Sequence, residues 1–155
     1  MPDSKTRLLI REAEPGDRDT IVAFNAAIAR ETEDRELDQD ILTAGVDSLL
    51  RDKTRGQYLL ACEGEHVAGQ IMWTYEWSDW RNGQFWWIQS VYVASGWRRS
   101  GVFRSLFEAV KDRALASGNS CGLRLYVERD NERAQSTYRA LGAEMTNYRL
   151  MEWIF

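Results

Sequence analysis

The stretch Val91–Phe107, VYVASGWRRSGVFRSLF, passes from an alternating β-like run into a helical one across a short loop rich in Arg and Gly. A strand that turns straight into a helix must pack that helix back on its own sheet, which selects an α/β architecture. The helix shows an apolar face of Val102, Phe103, Leu106, Phe107, Val110 and Leu115, and Ser117-Gly118-Asn119 supplies a C-cap. Its first turn presents unpaired N–H groups and the positive end of the helix dipole, which together attract anions. Trp97-Arg98-Arg99-Ser100-Gly101 wraps that end with backbone donors and two guanidinium groups, and Gly101 has no Cβ to hold a phosphate away. Such a segment reads either as a pyrophosphate cradle or as a basic, capped helix start. It matches neither the P-loop nor the GxGxxG pattern.

The remaining elements follow from periodicity and turn chemistry. TRLLIREA (6–13) alternates as a first strand, and Glu14-Pro15-Gly16-Asp17 starts a helix that carries Ile21, Val22, Phe24 and Ile28 to about Glu31. The charged run ETEDRELDQD is a loop or exposed helix end, and Ile41, Leu42, Val46, Leu49 and Leu50 mark a second amphipathic helix. QYLLACEG and VAGQIMWTYEW form a hairpin around Glu63-Gly64-Glu65-His66, where His66 is a solvated turn residue. The Asn82-Gly83 turn leads into QFWWIQSVYVAS. After the Arg-rich loop and its helix come the strand CGLRLYV, a short helix over Asn131–Leu141, and a terminal strand AEMTNYRLMEWIF. The expected order is β-α-α-β-β-β-α-β-α-β, a single α/β domain over 1–155 with a mixed central sheet flanked by helices.

Composition excludes several functions. The 155 residues suit one domain, and a net charge of −4 argues against a dedicated nucleic-acid binder. No apolar run approaches the roughly 20 residues that cross a bilayer. The opening MPDSKTRLLIREAEPGD lacks the apolar core of a signal peptide, so a cytoplasmic location is expected. One histidine and two cysteines without ligand spacing give no metal site, and Cys62 and Cys121 are expected as buried reduced thiols.

A second motif lies downstream. Asn131, Ala134 and Tyr138 stand at i, i+3 and i+7, on one face of the short helix, and Gly142 follows. Taken with Val91-Tyr92-Val93 and Arg98-Arg99-Ser100-Gly101-Val102-Phe103, this resembles the GCN5-related N-acetyltransferase (GNAT) superfamily over nearly the whole chain. The family's acyl-CoA loop, Gln/Arg-x-x-Gly-x-Gly/Ala, is matched except that Phe103 replaces the last small residue. Its second element, Asn-x-x-Ala-x-x-x-Tyr-x-x-x-Gly, is intact.

The resemblance implies acetyl-CoA as co-substrate and an amine as acceptor. Backbone groups of Val91 and Val93, flanking Tyr92, would pair with the pantetheine arm, and amides from Arg99 to Arg104, including Ser100 and Val102, would hold the pyrophosphate. Arg98 would stand at the loop entrance. Asn131 would bond the arm, with Ala134 beside it, and Tyr138 would protonate the departing thiolate. A main-chain N–H near Val91 would stabilise the oxyanion. The resemblance leaves the base unassigned: Trp87 takes the place of the Glu found in histone-type members, Gln89 cannot accept a proton, and Glu76, Asp79 and Glu128 are candidates. The other reading of the same fold is a non-catalytic acyl-CoA-binding regulatory module. Transfer of a longer acyl chain is also open.

Seven tryptophans remain to be placed, six of them between Trp73 and Trp97. Trp73, Trp77, Trp80, Trp86 and Trp87 surround the expected hairpin, and alternation sends Trp86 and Trp87 to opposite faces. They fill the core and cover the sheet or a homodimer contact, or Trp77 and Trp80 wall an acceptor pocket for an apolar or cationic amine.

Overall fold

A computed structural model describes residues 7–155, so Thr6 at the start of the expected first strand lies outside the described residues. The chain divides into two compact units, one ending at Leu125 and the other spanning Tyr126–Phe155. In the first unit, strand β1 covers Leu9–Glu12, helix α1 Arg18–Glu33 and helix α2 Gln39–Arg51. Strands β2 (Gln57–Glu63), β3 (His66–Ser78) and β4 (Gly83–Val93) follow, then helix α3 (Val102–Ala116) and strand β5 (Ser120–Leu125). The sheet runs in sequence order; every pairing is antiparallel except the parallel one between β4 and β5. This is the mixed sheet with flanking helices that the sequence predicts.

Local chemistry accounts for the element boundaries. A 3-10 turn at Pro15–Asp17 leads into α1, and Glu14 and Asp17 form a reciprocal capping box around it. Arg11 grips Asp17 through two bonds of 2.8 and 2.9 Å, tying β1 to that turn. Within the expected acidic loop, α1 persists to Glu33 before Asp34 turns left-handed at φ 49°. Asp38 then caps α2 by accepting from the Ile41 N–H at 3.0 Å.

The two sheet faces carry different helices. Tyr58, Leu60 and Cys62 of β2 pack with Ile21 and Val22 of α1 and Val46 and Leu49 of α2. Alternation turns Leu59 and Ala61, both fully buried, to the opposite face. That face belongs to α3: a Cβ on Gly69 would lie 3.0 Å from Val102 Cγ1 and 2.7 Å from the Tyr92 carbonyl oxygen. Only glycine lets β3 and α3 approach β4 so closely at this point. Leu115, expected on the apolar face of α3, is instead 74% exposed near the helix end. Of the cysteines, Cys62 is buried and Cys121 only partly so; both are free thiols.

In the second unit, helix α4 spans Glu132–Ala140. The segment expected as a terminal strand forms none: no ladder includes residues 143–155 among the described residues. A strand needs a partner for its backbone, and apolar alternation alone cannot supply one.

The Arg11–Asp17 pair yields a stability prediction. Hydrogen bonds from Arg11 hold the Asp17 carboxyl below its usual range, against the opposing effect of burial. A depressed native pKa contributes stability that is fully present above the unfolded-state value of about 3.9 and lost as pH falls through the native value. Asp17→Asn should therefore lower unfolding free energy by about 1–2 kcal/mol at pH 7. Urea unfolding of both proteins should show that difference shrinking below about pH 4.

Candidate functional site

Strand β4 loses its β5 neighbour part way along. The parallel ladder ends at the pair Ile88–Leu125, whereas pairing with β3 continues through Val93. The last five residues of β4, Gln89 to Val93, thus have a strand on one side only within this unit. Gln89 is also the extra residue of a bulge, because Met72 faces Ser90 while Trp73 faces Ile88. The Ala94 N–H donates to the Ala68 carbonyl at 2.9 Å, so alternation points the backbone groups of Val93 and Val91 away from β3. They face the side from which β5 has withdrawn.

The loop beyond β4 delivers the chain to α3. Ser95–Trp97 form a 3-10 turn, Ser100 Oγ bonds the Trp97 carbonyl, and Arg99 and Gly101 are left-handed at φ 64° and 83°. Gly101 is the N-cap of α3 and brings no side-chain acceptor to its first N–H groups. No atom lies within 4 Å of where its Cβ would be, so the helix start is approachable there. This donor set at a helix N-terminus fits a phosphate group. Phe103 does not obstruct it: the half-buried ring stacks on Phe107 at 6.3 Å.

Arg98 is committed elsewhere. Its Nε donates to the Val93 carbonyl at 3.0 Å and its Nη2 to Glu31 Oε1 at 2.9 Å, with the guanidinium over the Tyr92 ring. The Glu31 carboxyl is held below its usual range chiefly by this bond. Tyr92 also touches Phe24, and burial with the neighbouring Glu31 pushes its phenol up. Arg104 pairs with Glu108 one turn along α3 at 2.8 Å.

A cleft of about 280 Å³ opens on the α1–α2 face, lined by Asn25, Leu42, Gly45, Val46, Leu49, Tyr58, Met72 and Ser90. Ser90 places it directly beside the unpaired end of β4. Two of its polar lining residues, Asn25 and Tyr58, belong to a relay: buried Gln70 donates to Asn25 at 3.1 Å, and Asn25 donates to the Tyr58 hydroxyl at 3.0 Å. Burial pushes the Tyr58 phenol up, so it is a neutral hydrogen-bonding group at physiological pH. Sequence reasoning missed these residues. The only signal was a Gln inside an otherwise apolar strand run, and its partner lies 45 positions away.

In the second unit, Asn131 caps α4 by accepting from the Ala134 N–H at 3.0 Å, so two motif residues have a local structural role. Tyr138 lies further along that helix, and burial raises its phenol above the ordinary value. Among the base candidates, Glu76 is paired with Arg124 at 2.6 Å and Asp79 accepts from the Trp80 N–H in the hairpin turn. Glu128 belongs to the second unit, where its carbonyl accepts from Gln135. The tryptophans divide: Trp73 and Trp86 are buried and stacked at 5.0 Å, whereas Trp77 and Trp80 are 59% and 88% exposed. Trp77 pairs with Gln84, nine residues along β4 from Val93 and so roughly 30 Å from the Arg-rich loop. No cluster of metal-ligating side chains and no helix long and apolar enough to cross a membrane occurs among the described residues.

Residues 20–143 match the acetyltransferase (GNAT) family. Thialysine N-epsilon-acetyltransferase of Bos taurus is 29% identical over 149 residues, covering 88% of this chain and 84% of that protein. The crystal structure of "a possible acetyltransferase from Clostridium difficile 630" superposes with a TM-score of 0.91 at 47% identity, over 96% of this chain and 97% of that one. Ribosomal-protein-alanine N-acetyltransferase from Brucella melitensis biovar Abortus 2308 shares the fold alone, with a TM-score of 0.75 at 16% identity over 96% and 100% of the two chains.

The left-handed helix start can be tested without any ligand. Gly101→Ala forces a Cβ into φ 83° and should cost about 1 kcal/mol, lowering Tm by roughly 2–4 °C. Gly96→Ala in the same loop, at ordinary φ and with nothing nearby, should melt like the parent.

Proposed function

The chain belongs to the acetyltransferase (GNAT) family, and from that membership we propose that it transfers an acetyl group from acetyl-CoA to a primary amine of a small molecule or peptide, by direct attack in a ternary complex. The observation that carries this reading is the release of β4 from β5 beside an open helix N-terminus. Val91 and Val93 offer main-chain groups to the pantetheine amides as a missing strand would. Amides from Arg99 to Arg104 hold the pyrophosphate, with the Arg99 guanidinium beside them.

The acceptor enters the cleft between α1–α2 and β4, where Asn25, Tyr58 and Ser90 supply neutral polar contacts and Leu42, Val46 and Leu49 the apolar wall. That lining suits an amine at the end of a short aliphatic chain, the chemistry named in the thialysine relative. Trp77 and Trp80 are assigned to the far portion of a longer acceptor. The neutral amine attacks the thioester carbonyl, and the Val91 N–H stabilises the resulting oxyanion. The C–S bond then breaks, Tyr138 protonates the leaving thiolate, and the amine's surplus proton passes to water. Its raised phenol keeps that proton at neutral pH. Free thiols at Cys62 and Cys121 accord with the reducing cytoplasm as its compartment.

Thiol release from acetyl-, propionyl- and succinyl-CoA across an amine panel tests the reading. Turnover is expected with acetyl-CoA and at least one short-chain primary amine. Binding of acetyl-CoA with no turnover on any amine would point instead to a regulatory module. Tyr138→Phe should lower kcat about 100-fold while acetyl-CoA affinity changes less than about twofold. Because an acid works only while protonated and burial raises this one, the alkaline fall in parental kcat should lie above about pH 10. In Tyr138→Phe that fall should be absent. Trp77→Ala with Trp80→Ala should raise KM for long acceptors alone; equal KM values would remove those two residues from the acceptor site.

A further inference from the structure

Gln70 is fully buried in the middle of β3, and its Oε1 has no hydrogen-bond partner. An idle buried oxygen costs stability, so the arrangement that keeps it needs a reason. The other end of the amide supplies one. Gln70 Nε2 donates to Asn25 Oδ1 at 3.1 Å, and Asn25 Nδ2 donates to the Tyr58 hydroxyl at 3.0 Å, so both bonds run the same way. The reverse direction would leave two buried N–H groups of Gln70 unpaired in place of one oxygen. The direction of the relay is therefore set from its buried end.

Tyr58 is the other end. Its oxygen already accepts from Asn25, and among the described residues no acceptor takes the hydroxyl's own proton. Burial pushes the phenol up, so that proton is retained at neutral pH. Strand register sets Tyr58, Met72 and Ser90 side by side across β2, β3 and β4, and all three line the cleft of about 280 Å³. No charged side chain is among the lining residues. An ammonium in the cleft would take the remaining lone pair of the phenol, leaving the O–H idle and its own charge without a counterion. A carboxylate would accept the proton but would also lack a counterion. An uncharged carbonyl oxygen satisfies the O–H and brings no charge.

We propose that Tyr58 is a specificity-determining residue that donates its O–H to an uncharged carbonyl oxygen of the acceptor, with Asn25 and Gln70 as the residues positioning that proton. The inference rests on the acetyl-transfer reading and narrows its acceptor. The favoured substrate is a primary amine whose chain carries a neutral carbonyl or carboxamide, in preference to a diamine or to an amine with a free carboxylate in the cleft.

The first test needs no transfer chemistry. 2-Pentanone and n-pentylammonium are titrated at neutral pH into the isotope-labelled full chain without acetyl-CoA, and the Ser90 N–H resonance is followed. The ketone should bind about threefold or more tightly than the ammonium, and Tyr58→Phe should abolish that preference. Asn25→Asp should invert it. The new carboxylate takes the Tyr58 proton, so a lone pair and a negative charge face the cleft instead. Far-UV circular dichroism checks that both variants fold. Binding of neither probe, an ammonium preference in the parent, or a ketone preference that survives Tyr58→Phe overturns the proposal. Turnover of 4-aminobutanamide against 1,4-diaminobutane then separates the two readings. The amide should show the higher kcat/KM in the parent, with the advantage lost through KM in Tyr58→Phe. Turnover of both amines without that advantage overturns the inference alone, whereas the expected probe binding with no turnover of any amine overturns the transfer reading and leaves the selectivity of the cleft standing.

Discussion

The arrangement depends on β4 having two neighbours of unequal reach. β3 follows it to Val93, but β5 leaves at Ile88, and the Gln89 bulge falls immediately beyond that point. A buried strand normally satisfies its backbone on both sides, so five residues with one neighbour are a local cost that the surrounding structure must sustain. It does so from both faces. Gly69 lets α3 and β4 close up on β3, while Phe24 and Tyr92 hold α1 against the far end of the strand. The half-paired end of β4 is therefore fixed in position, and a second extended molecule can complete it with little ordering of the protein.

The same strand separates two approaches. The Ser90 side chain turns to the α1–α2 cleft, while the Val91 backbone turns along the sheet toward the side that β5 has vacated. Under the proposed function, an acceptor in the cleft and an acyl donor on the strand edge would meet at consecutive residues without competing for space. The bulge supports this, because the added residue re-aims the strand just before Ser90.

Much of this was legible in the sequence, for identifiable reasons. The helices and strands of the first unit follow from apolar period, capping residues and the Asn-Gly turn, all of which act over a few residues. Trp86 and Trp87 separate to unlike environments as alternation requires, with Trp86 stacked in the core. What could not be read depends on distant partners. The Gln70–Asn25–Tyr58 relay joins three elements, and the commitment of Arg98 to Glu31 spans 67 positions. The terminal segment shows the opposite error: its pattern is that of a strand, but a pattern specifies a face and not the edge that receives it.

The charge of the Arg-rich loop has to be recounted in this light. Arg98 and Arg104 are each matched by a glutamate, Glu31 and Glu108, so their contribution to the local field is largely offset. Arg99 has no ion-pair partner among the described residues, and it holds a left-handed backbone at φ 64° that costs a non-glycine residue on the order of 1 kcal/mol. An unpaired cation on a strained residue, two positions before an uncapped helix start, is a poor device for stability alone. Both expenses become reasonable if an anion is bound there, because the guanidinium then gains a partner and the first N–H groups of α3 gain an acceptor. Under the proposed function, a chain of net charge −4 would in this way present a phosphate site built mostly from backbone, with the Arg99 guanidinium beside it.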